Sequence, residues 1–302
     1  MSPQNPDNPV QEHLGSEITS INPIEAGEIA ETYYFQDQGK YVYQSPGIDP
    51  KGFEIGLNLY EDLWSSDIPV PEVIERERGE NAYAVLEYIP GSNLSGLDNP
   101  EGHLFYQAGQ LLAKFHQEYD FNSEGYGELS TERVSLENPK NNWRRFFQHR
   151  TGSRIDDLRP RYVDISEALS LERAVHEKAP VNPDSAILHN DYAGRNIRVD
   201  PDSSFINGVI DFDSALVGDP DFDFVDAKQY FEIDFGKEEA DVFKQGYLNQ
   251  RTVSDDFSEK QNSYAISGLI NKAWALNELD QRIDTDYDRE IEDLVSEALR
   301  LS

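Results

Sequence analysis

His189-Asn-Asp191-Tyr-Ala-Gly194-Arg-Asn196-Ile197, followed after a short hairpin by Val209-Ile-Asp211-Phe-Asp213, decides how this chain is read. Asn196 stands five residues after Asp191, and Asp211 arrives about fifteen residues later at the end of an apolar strand-like run. On a tight loop and a strand end, the three side chains can converge on one divalent cation and one substrate hydroxyl. Phosphoryl transfer needs that set: an Asp to accept the hydroxyl proton, and an Asn and an Asp offering hard oxygens to the magnesium that bridges the phosphates. A chain with 58 Asp and Glu throws up Asp pairs by chance. Chance does not supply this order of residues in apolar surroundings.

Upstream, Glu31-Thr-Tyr-Tyr-Phe35 and Lys40-Tyr-Val-Tyr-Gln44, joined by a turn over Gln36 to Gly39, predict a β-hairpin. Asp49-Pro50 reads as a helix cap followed by Pro at the first helical position, and Phe53, Leu57, Tyr60 and Trp64 continue at helical spacing. Ile68-Pro-Val-Pro71 stops that helix. Val73 to Glu77 and Tyr83 to Tyr88 predict two more strands around Gly79, and Pro90-Gly91 closes the unit. Beyond it the pattern turns helical. Leu104, Ala108, Leu111, Leu112 and Phe115 share one face of a helix ending near Tyr119; residues 132–178 hold charged helical stretches, and the last 75 residues hold at least three more helices. The expected organisation is a flexible tail over residues 1–20, a small β-rich lobe over 21–91, and a larger, mostly helical lobe over 92–302 with a hairpin embedded in it.

These motifs make the chain resemble the aminoglycoside phosphotransferase and choline kinase group, the small-molecule branch of the protein-kinase-like fold. The group's His-x-Asp-x-x-x-x-Asn followed by an apolar strand ending in Asp is met in full, as is the trailing Gly218-Asp-Pro-x-x-Asp223. Ile68-Pro-Val-Pro71, Leu86-Glu-Tyr-Ile-Pro-Gly91, Leu111-Leu-Ala-Lys-Phe-His116 and Gly125-Tyr-Gly127 fall in the group's order, so the likeness spans roughly residues 24–230. It implies an α+β, two-lobed protein-kinase-like fold and an enzyme that uses ATP and Mg2+ to phosphorylate a small-molecule hydroxyl. Carried over by position, Asp191 is the catalytic base or orients the hydroxyl, Asn196 and Asp211 hold magnesium, and His189 braces the loop. Glu87 and Ile89 offer a backbone carbonyl and amide to adenine, and Asp223 ties the catalytic loop to the helical lobe.

One position departs from the group. Where its members carry a Lys that grips the α- and β-phosphates and pairs with a helix Glu, this chain has Gln44, with Glu54 in the place of the partner. Gln donates hydrogen bonds to phosphate or to Glu54 but brings no charge. Lys40 shares the strand face of Gln44 but lies roughly 13 Å away at about 3.3 Å per residue. Instead of GxGxxG, the first lobe reads Gly27-Glu-Ile-Ala-Glu-Thr32. The acceptor stays open among aminoglycosides, choline- or ethanolamine-type amines and sugars. A catalytically weak, nucleotide-binding pseudokinase is the rival that Gln44 motivates. A metal-dependent hydrolase using the same Asp residues is disfavoured by Asn196 and the adenine-type connector.

Composition narrows the partners. Against 26 Lys and Arg, the acids leave a formal charge of −32, so counterion release on nucleic acid or anionic lipid cannot drive binding. Low mean hydropathy with high charge fits disorder, but 16 Tyr, 15 Phe and 3 Trp supply a core. Arg outnumbers Lys by 16 to 10, and the dense carboxylates fit work in concentrated salt, where charges are screened over roughly 3 Å at 1 M. The absence of Cys removes disulfides, thiolate metal sites and a cysteine nucleophile. No apolar run marks a signal peptide or a membrane span, which predicts a soluble cytoplasmic protein.

Several residues are expected to be structural. Asp213, Asp219 and Asp221 read as solvated surface or loop caps, although Asp213 is placed to assist the metal, and His116 reads as a packed histidine. Trp143 and Trp274 read as core side chains in regions where the group builds acceptor pockets. Arg144, Arg145, Arg150, Arg154, Arg159 and Arg161 crowd six of the 16 Arg into eighteen residues. Salt bridges to acidic neighbours are their expected role, and contact with an anionic substrate or the nucleotide is the alternative.

Overall fold

A computed structural model describes residues 20–23, 31–36, 39–47, 49–79, 81–122, 124–176, 178–200, 205–281 and 287–302. The expected tail therefore lies outside the described residues except for Ser20. So do the tip of the first hairpin at residues 37–38 and most of the Gly27 to Thr32 segment.

The expected hairpin forms from β2 (Glu31–Gln36) and β3 (Lys40–Ser45), antiparallel with Tyr34 opposite Val42. Flanked by β1 (Ser20–Pro23), β4 (Val73–Glu77) and β5 (Tyr83–Glu87), it builds an antiparallel sheet in the order β1-β2-β3-β5-β4. The two-residue alternation of β5 sends Tyr83 and Val85 to an outer aromatic cluster with Phe35 and Tyr43, and Ala84 and Leu86 to the main core. On that inner side lies α1 (Pro50–Leu63). It starts where the sequence places it: Asp49 Oδ1 accepts the Gly52 N–H at 2.9 Å, and Pro50 occupies a position whose N–H would be unsatisfied anyway.

The connector after β5 is itself built into the second lobe, which the sequence did not indicate. Its β6 (Ser92–Asn93) adds to the hairpin of β9 (Ile197–Asp200) and β10 (Phe205–Val209). Gly91, at φ 107°, makes the crossing possible, because a Cβ there would fall 2.0 Å from the Val199 carbonyl oxygen. The second lobe is mostly helical: α2 (Gly102–Glu118), α3 (Trp143–Leu158), α4 (Ile165–His176), α5 (Pro220–Asp234), α6 (Lys237–Gln250), α7 (Phe257–Asp280) and α8 (Asp288–Leu301). A short sheet of β7 (Gly127–Glu128), β11 (Leu216–Gly218) and β8 (Ala186–Leu188) runs among them. One apolar cluster runs from α1 through the catalytic-loop region to α2, α5 and α6, and a second gathers α3, α4, α7 and α8. Burial on this scale, not net charge, holds the acidic chain together. Among the described residues no helix is long and apolar enough to cross a membrane.

Candidate active site

β8 is wholly buried and delivers the chain to His189, after which Asn190 turns it through a left-handed φ of 61°. The turn is fixed from below by Asp223 in the first turn of α5. Its Oδ2 accepts the His189 N–H at 2.8 Å and its Oδ1 accepts the Asn190 N–H at 2.8 Å. Asp223 also meets His116 Nε2 at 3.0 Å, while His116 Nδ1 meets the Tyr247 hydroxyl at 2.9 Å. Burial works against the charge on Asp223, but these donors outweigh it and hold its carboxyl below the usual carboxylate range. Burial also pushes His116 down. Both shifts fit one network: an ionised Asp223 accepts from the Nε2–H of a neutral imidazole whose Nδ1 accepts from Tyr247.

The next residue is Asp191. The Asn196 amide donates to its carboxylate Oδ2 and to its backbone oxygen, both at 2.9 Å, and Arg195 donates to Oδ1. With its nitrogen spent on Asp191, Asn196 has its amide oxygen left to face a cation. His189 does not reach this group. Its ring is buried against Phe212, with centroids 4.6 Å apart, and its Nε2 donates to the Ile210 carbonyl at 3.1 Å. Burial lowers its pKa and keeps the imidazole neutral, so it links the loop to the Ile210 strand end.

Asp211 follows at φ 67°, its N–H donated to the Tyr60 hydroxyl at 2.8 Å. Desolvation, and then the nearby charge of Asp191, push its pKa up to about 6. Desolvation and the Asp211 charge push Asp213 up as well. Carboxylates whose proximity raises their pKa values in this way gain most from a divalent cation, so the donor set fits magnesium. No group of three or more His, Asp or Glu that could hold a metal occurs among the described residues. Magnesium is commonly held by one or two carboxylates together with water and phosphate oxygens, so a protein-only cage is not required.

The α1 face over this turn carries residues the sequence reading passed over. Cβ atoms on Gly52 and Gly56 would fall 2.7 Å from the Asp213 carbonyl oxygen and 2.4 Å from its Oδ1. Gly52, Gly56 and Tyr60 lie four residues apart, so one bare stripe seats the helix on the Asp211 to Asp213 turn. That Gly-x-x-x-Gly-x-x-x-Tyr spacing was the available signal.

No hydrogen bond joins Gln44 to Glu54, the expected phosphate-clamp pair, among the described residues. Gln44 sits in β3 opposite Ala84 and makes no side-chain hydrogen bond among the described residues. Glu54 lies on the far side of α1 from Gly52 and Gly56, and Arg78 Nε takes it at 3.4 Å. Arg76 and Arg78 also converge on Asn58 one turn later, at 3.0 and 2.8 Å. Helical phase explains the outcome: Glu54 shares its face with Asn58 and Glu61, not with the residues over Asp213.

Glu87 ends β5, paired with Tyr41, and Ile89 follows in the connector, where its side chain lies on Gly208. Arg198 of β9 holds the connector by donating to the Ile89 carbonyl at 3.4 Å, to the Gly91 carbonyl and to Asn93 Oδ1 at 2.6 Å. Nothing in the sequence marked Arg198 for this. Trp143 is buried, donating to the Tyr264 hydroxyl at 2.9 Å, whereas Trp274 is partly open with Arg154 stacked 4.6 Å above it.

Asp219 and Asp221 correct the expectation of a solvated surface. Both are 2% exposed and surround the buried Lys260 at 2.7 and 3.0 Å. The capping half of that expectation holds for Asp219, which accepts the Asp221 N–H at the start of α5.

A family model described as the phosphotransferase enzyme family matches residues 20–257. Comparison with curated protein sequences finds no match. Among solved structures, aminoglycoside phosphotransferase APH(4)-Ia as a thermostable mutant, in ternary complex with AMP-PNP and hygromycin B, superposes with a TM-score of 0.71. That pairing has 18% identity and covers 97% of each chain. The gentamicin complex of APH(2")-IIa gives 0.68 at 19% identity, covering 99% of this chain and 97% of that one. A protein described as a fructosamine-3-kinase, from Haemophilus somnus, gives 0.64 at 15% identity, covering 96% and 95%. At these identities the likeness establishes the fold: a small antiparallel lobe and a helical lobe, as in the aminoglycoside kinases.

Proposed function

The chain belongs to the phosphotransferase enzyme family, a family of small-molecule kinases, and from that premise we propose that it moves the γ-phosphoryl group of ATP to a small-molecule hydroxyl with Mg2+ as the metal. The observation that carries this reading is the Asn196 amide locked onto both the backbone and the side chain of Asp191, with Asp211 near enough for the two carboxylates to feel each other's charge. The hydroxyl oxygen attacks the γ-phosphorus, the bond to the β–γ bridging oxygen breaks to release ADP, and the proton passes to Asp191. Each carboxylate oxygen of Asp191 keeps a lone pair free after its contacts with Asn196 and Arg195. Asn196 and Asp211 hold the magnesium, which offsets charge on the phosphoryl oxygens when bound. Adenine lies against the connector at Glu87 to Ile89, and Gln44 is the side chain on β3 available to the phosphates. Most of the rate comes from positioning and charge complementarity. The ternary complex of the APH(4)-Ia enzyme with AMP-PNP and hygromycin B supports a fold that holds a nucleotide and a small molecule together.

Asp191→Asn tests the reading. It keeps the shape and the Asn196 contact while removing the proton acceptor, so ATP-dependent product formation should fall by about two to four orders of magnitude, the usual range for a general base. Unchanged turnover refutes the assignment. A nucleotide-binding module without catalysis is the second reading, favoured by the uncharged Gln44 and by Glu54 being held by Arg78. In that case ATP binds in the same assay, but neither an acceptor nor water receives phosphate.

A further inference from the structure

α3 carries Arg150 and Arg154 one turn apart on the side facing the catalytic loop. Arg150 Nη1 reaches Asn190 Oδ1 at 3.4 Å, one residue before Asp191. Arg154 donates to Asn271 of α7 and stacks on Trp274. Two more cations close the space: Arg195 lies 4.9 Å over the Tyr230 ring, and Lys272 lies 3.7 Å over the same ring. The anions here are already engaged. Asp191 is taken by Arg195 and Asn196, Asp226 by Lys272 at 2.5 Å, Asp157 by the Trp274 indole at 3.0 Å, and Glu128 by Lys51 at 2.5 Å. Asp234 is exposed, near Arg195 and Lys272. Arg150 and Arg154 form no ion pair among the described residues.

Arg144, Arg145, Arg173 and Arg198 also form no ion pair among the described residues, so what sets Arg150 and Arg154 apart is the burial of their guanidinium groups beside the catalytic loop. Elsewhere on the same helix and just past it the expected pairing occurs: Arg159 with Asp156, and Arg161 with Asp280 and Asp288. The expectation of salt bridges therefore holds for Arg159 and Arg161 and fails, among the described residues, for Arg144, Arg145, Arg150 and Arg154; Arg144 donates instead to the Ala179 carbonyl. Burial pushes the Arg150 guanidinium down to about 10 and Arg154 well below its ordinary range, with Arg150 adding to the cost at Arg154. Asp226, Glu128 and Asp157 offset that cost only in part and from beyond ion-pair distance, so two adjacent guanidinium groups are left suited to an anion from outside. Their planar donor forks match the geometry of a carboxylate or phosphate.

Resting on the kinase reading above, we propose that the acceptor carries an oxyanion, either a carboxylate or a phosphate ester, bound by Arg150 and Arg154 while its hydroxyl faces Asp191. Such an acceptor is a hydroxy acid or a sugar phosphate, opposite in charge to an aminoglycoside.

The experiment uses the full chain with Mg-ATP in molar KCl. The acceptors are glycerate and gluconate, ribose 5-phosphate and glycerol 3-phosphate, neutral ribose and glycerol, and cationic choline and kanamycin. Phosphorylation should be confined to the anionic compounds, with the carboxylates and the phosphates telling the two sources apart. Arg150→Gln and Arg154→Gln should each raise the KM of that acceptor roughly tenfold to a hundredfold while the KM of ATP stays within about twofold. Arg154→Lys should recover part of the loss, which a purely structural role would not produce. If no compound turns over, saturable calorimetric binding of an anionic compound that the folded Gln variants lose upholds the proposal. Absence of such binding overturns it, as does turnover of neutral or cationic acceptors alone, or an acceptor KM indifferent to both Gln variants. Loss of ATP binding and of slow magnesium-dependent ATP hydrolysis in the unsubstituted protein would instead overturn the kinase reading itself.

Discussion

Asp223→Asn isolates the support of the catalytic loop from its chemistry. The carboxylate accepts three hydrogen bonds: Asn190 N–H on Oδ1, and His189 N–H with His116 Nε2 on Oδ2. An amide has the same shape but one edge that donates. Turned the less costly way, its NH2 faces the Asn190 N–H, leaving one buried donor unsatisfied, and the two surviving bonds lose their charge assistance. At about 1–3 kcal/mol for the orphaned donor plus a fraction of that for the weakened bonds, the cost is about 2–4 kcal/mol. Asn190 is the residue held at φ 61°, so the lost bond is the one that pins the turn before Asp191. A displacement of about 1 Å at a reacting group can cost roughly a hundredfold in rate, and kcat should fall accordingly with little change in the KM of ATP. The pH dependence follows from the same group. Its folded-state pKa lies below the unfolded value, so its contribution is fully present above about pH 5 and is lost as pH falls through the folded pKa. Urea unfolding of the original protein and the variant from pH 7 down to about pH 3 checks both parts, since the Asn variant should show a shallower acid limb. A variant within about 0.5 kcal/mol of the original, with an unchanged acid limb, would refute the argument.

Two further substitutions probe the same architecture. Tyr60→Phe removes the hydroxyl that accepts the Asp211 N–H at 2.8 Å; it should cost about 1–3 kcal/mol in denaturant titrations and weaken magnesium dependence of turnover, and a silent variant would mean that Asp211 is fixed by other contacts. Lys260→Met leaves Asp219 and Asp221 buried without their cation; loss of one partner of a buried pair costs about 3–5 kcal/mol, read as a lower midpoint in thermal unfolding.

Local patterns carried most of what the sequence revealed. The Asp49-Pro50 cap, the helical spacing after it and the alternation in β5 are set by neighbours in the chain, so their elements were legible before any tertiary contact was known. The Asp191, Asn196 and Asp211 group was legible for the same reason, since a loop and a hairpin fix its spacing. Residues whose roles depend on which face of an element meets which partner were not. Glu54 occupies a plausible position by counting, yet helical phase turns it toward Arg78, while the stripe that touches Asp213 is made of glycines, which carry no chemistry to flag. Arg198, Lys260 and Lys272 act across more than forty residues or between elements, and an acidic chain hides a buried Asp among many that are solvated.

The net charge of −32 bears on the acceptor in a way composition alone cannot show. Averaged over the surface, it would favour a cationic acceptor by long-range attraction, but such attraction is screened within roughly 3 Å at molar salt. Short-range contacts then decide which molecule is held, and beside the catalytic loop Asp191, Asp226, Asp157 and Glu128 are engaged by Arg195, Lys272, Trp274 and Lys51, leaving Arg150 and Arg154 without an ion pair among the described residues. Two such arginines one turn apart, with Arg150 reaching the residue before the proposed base, offer an anionic group of the acceptor a place beside its hydroxyl.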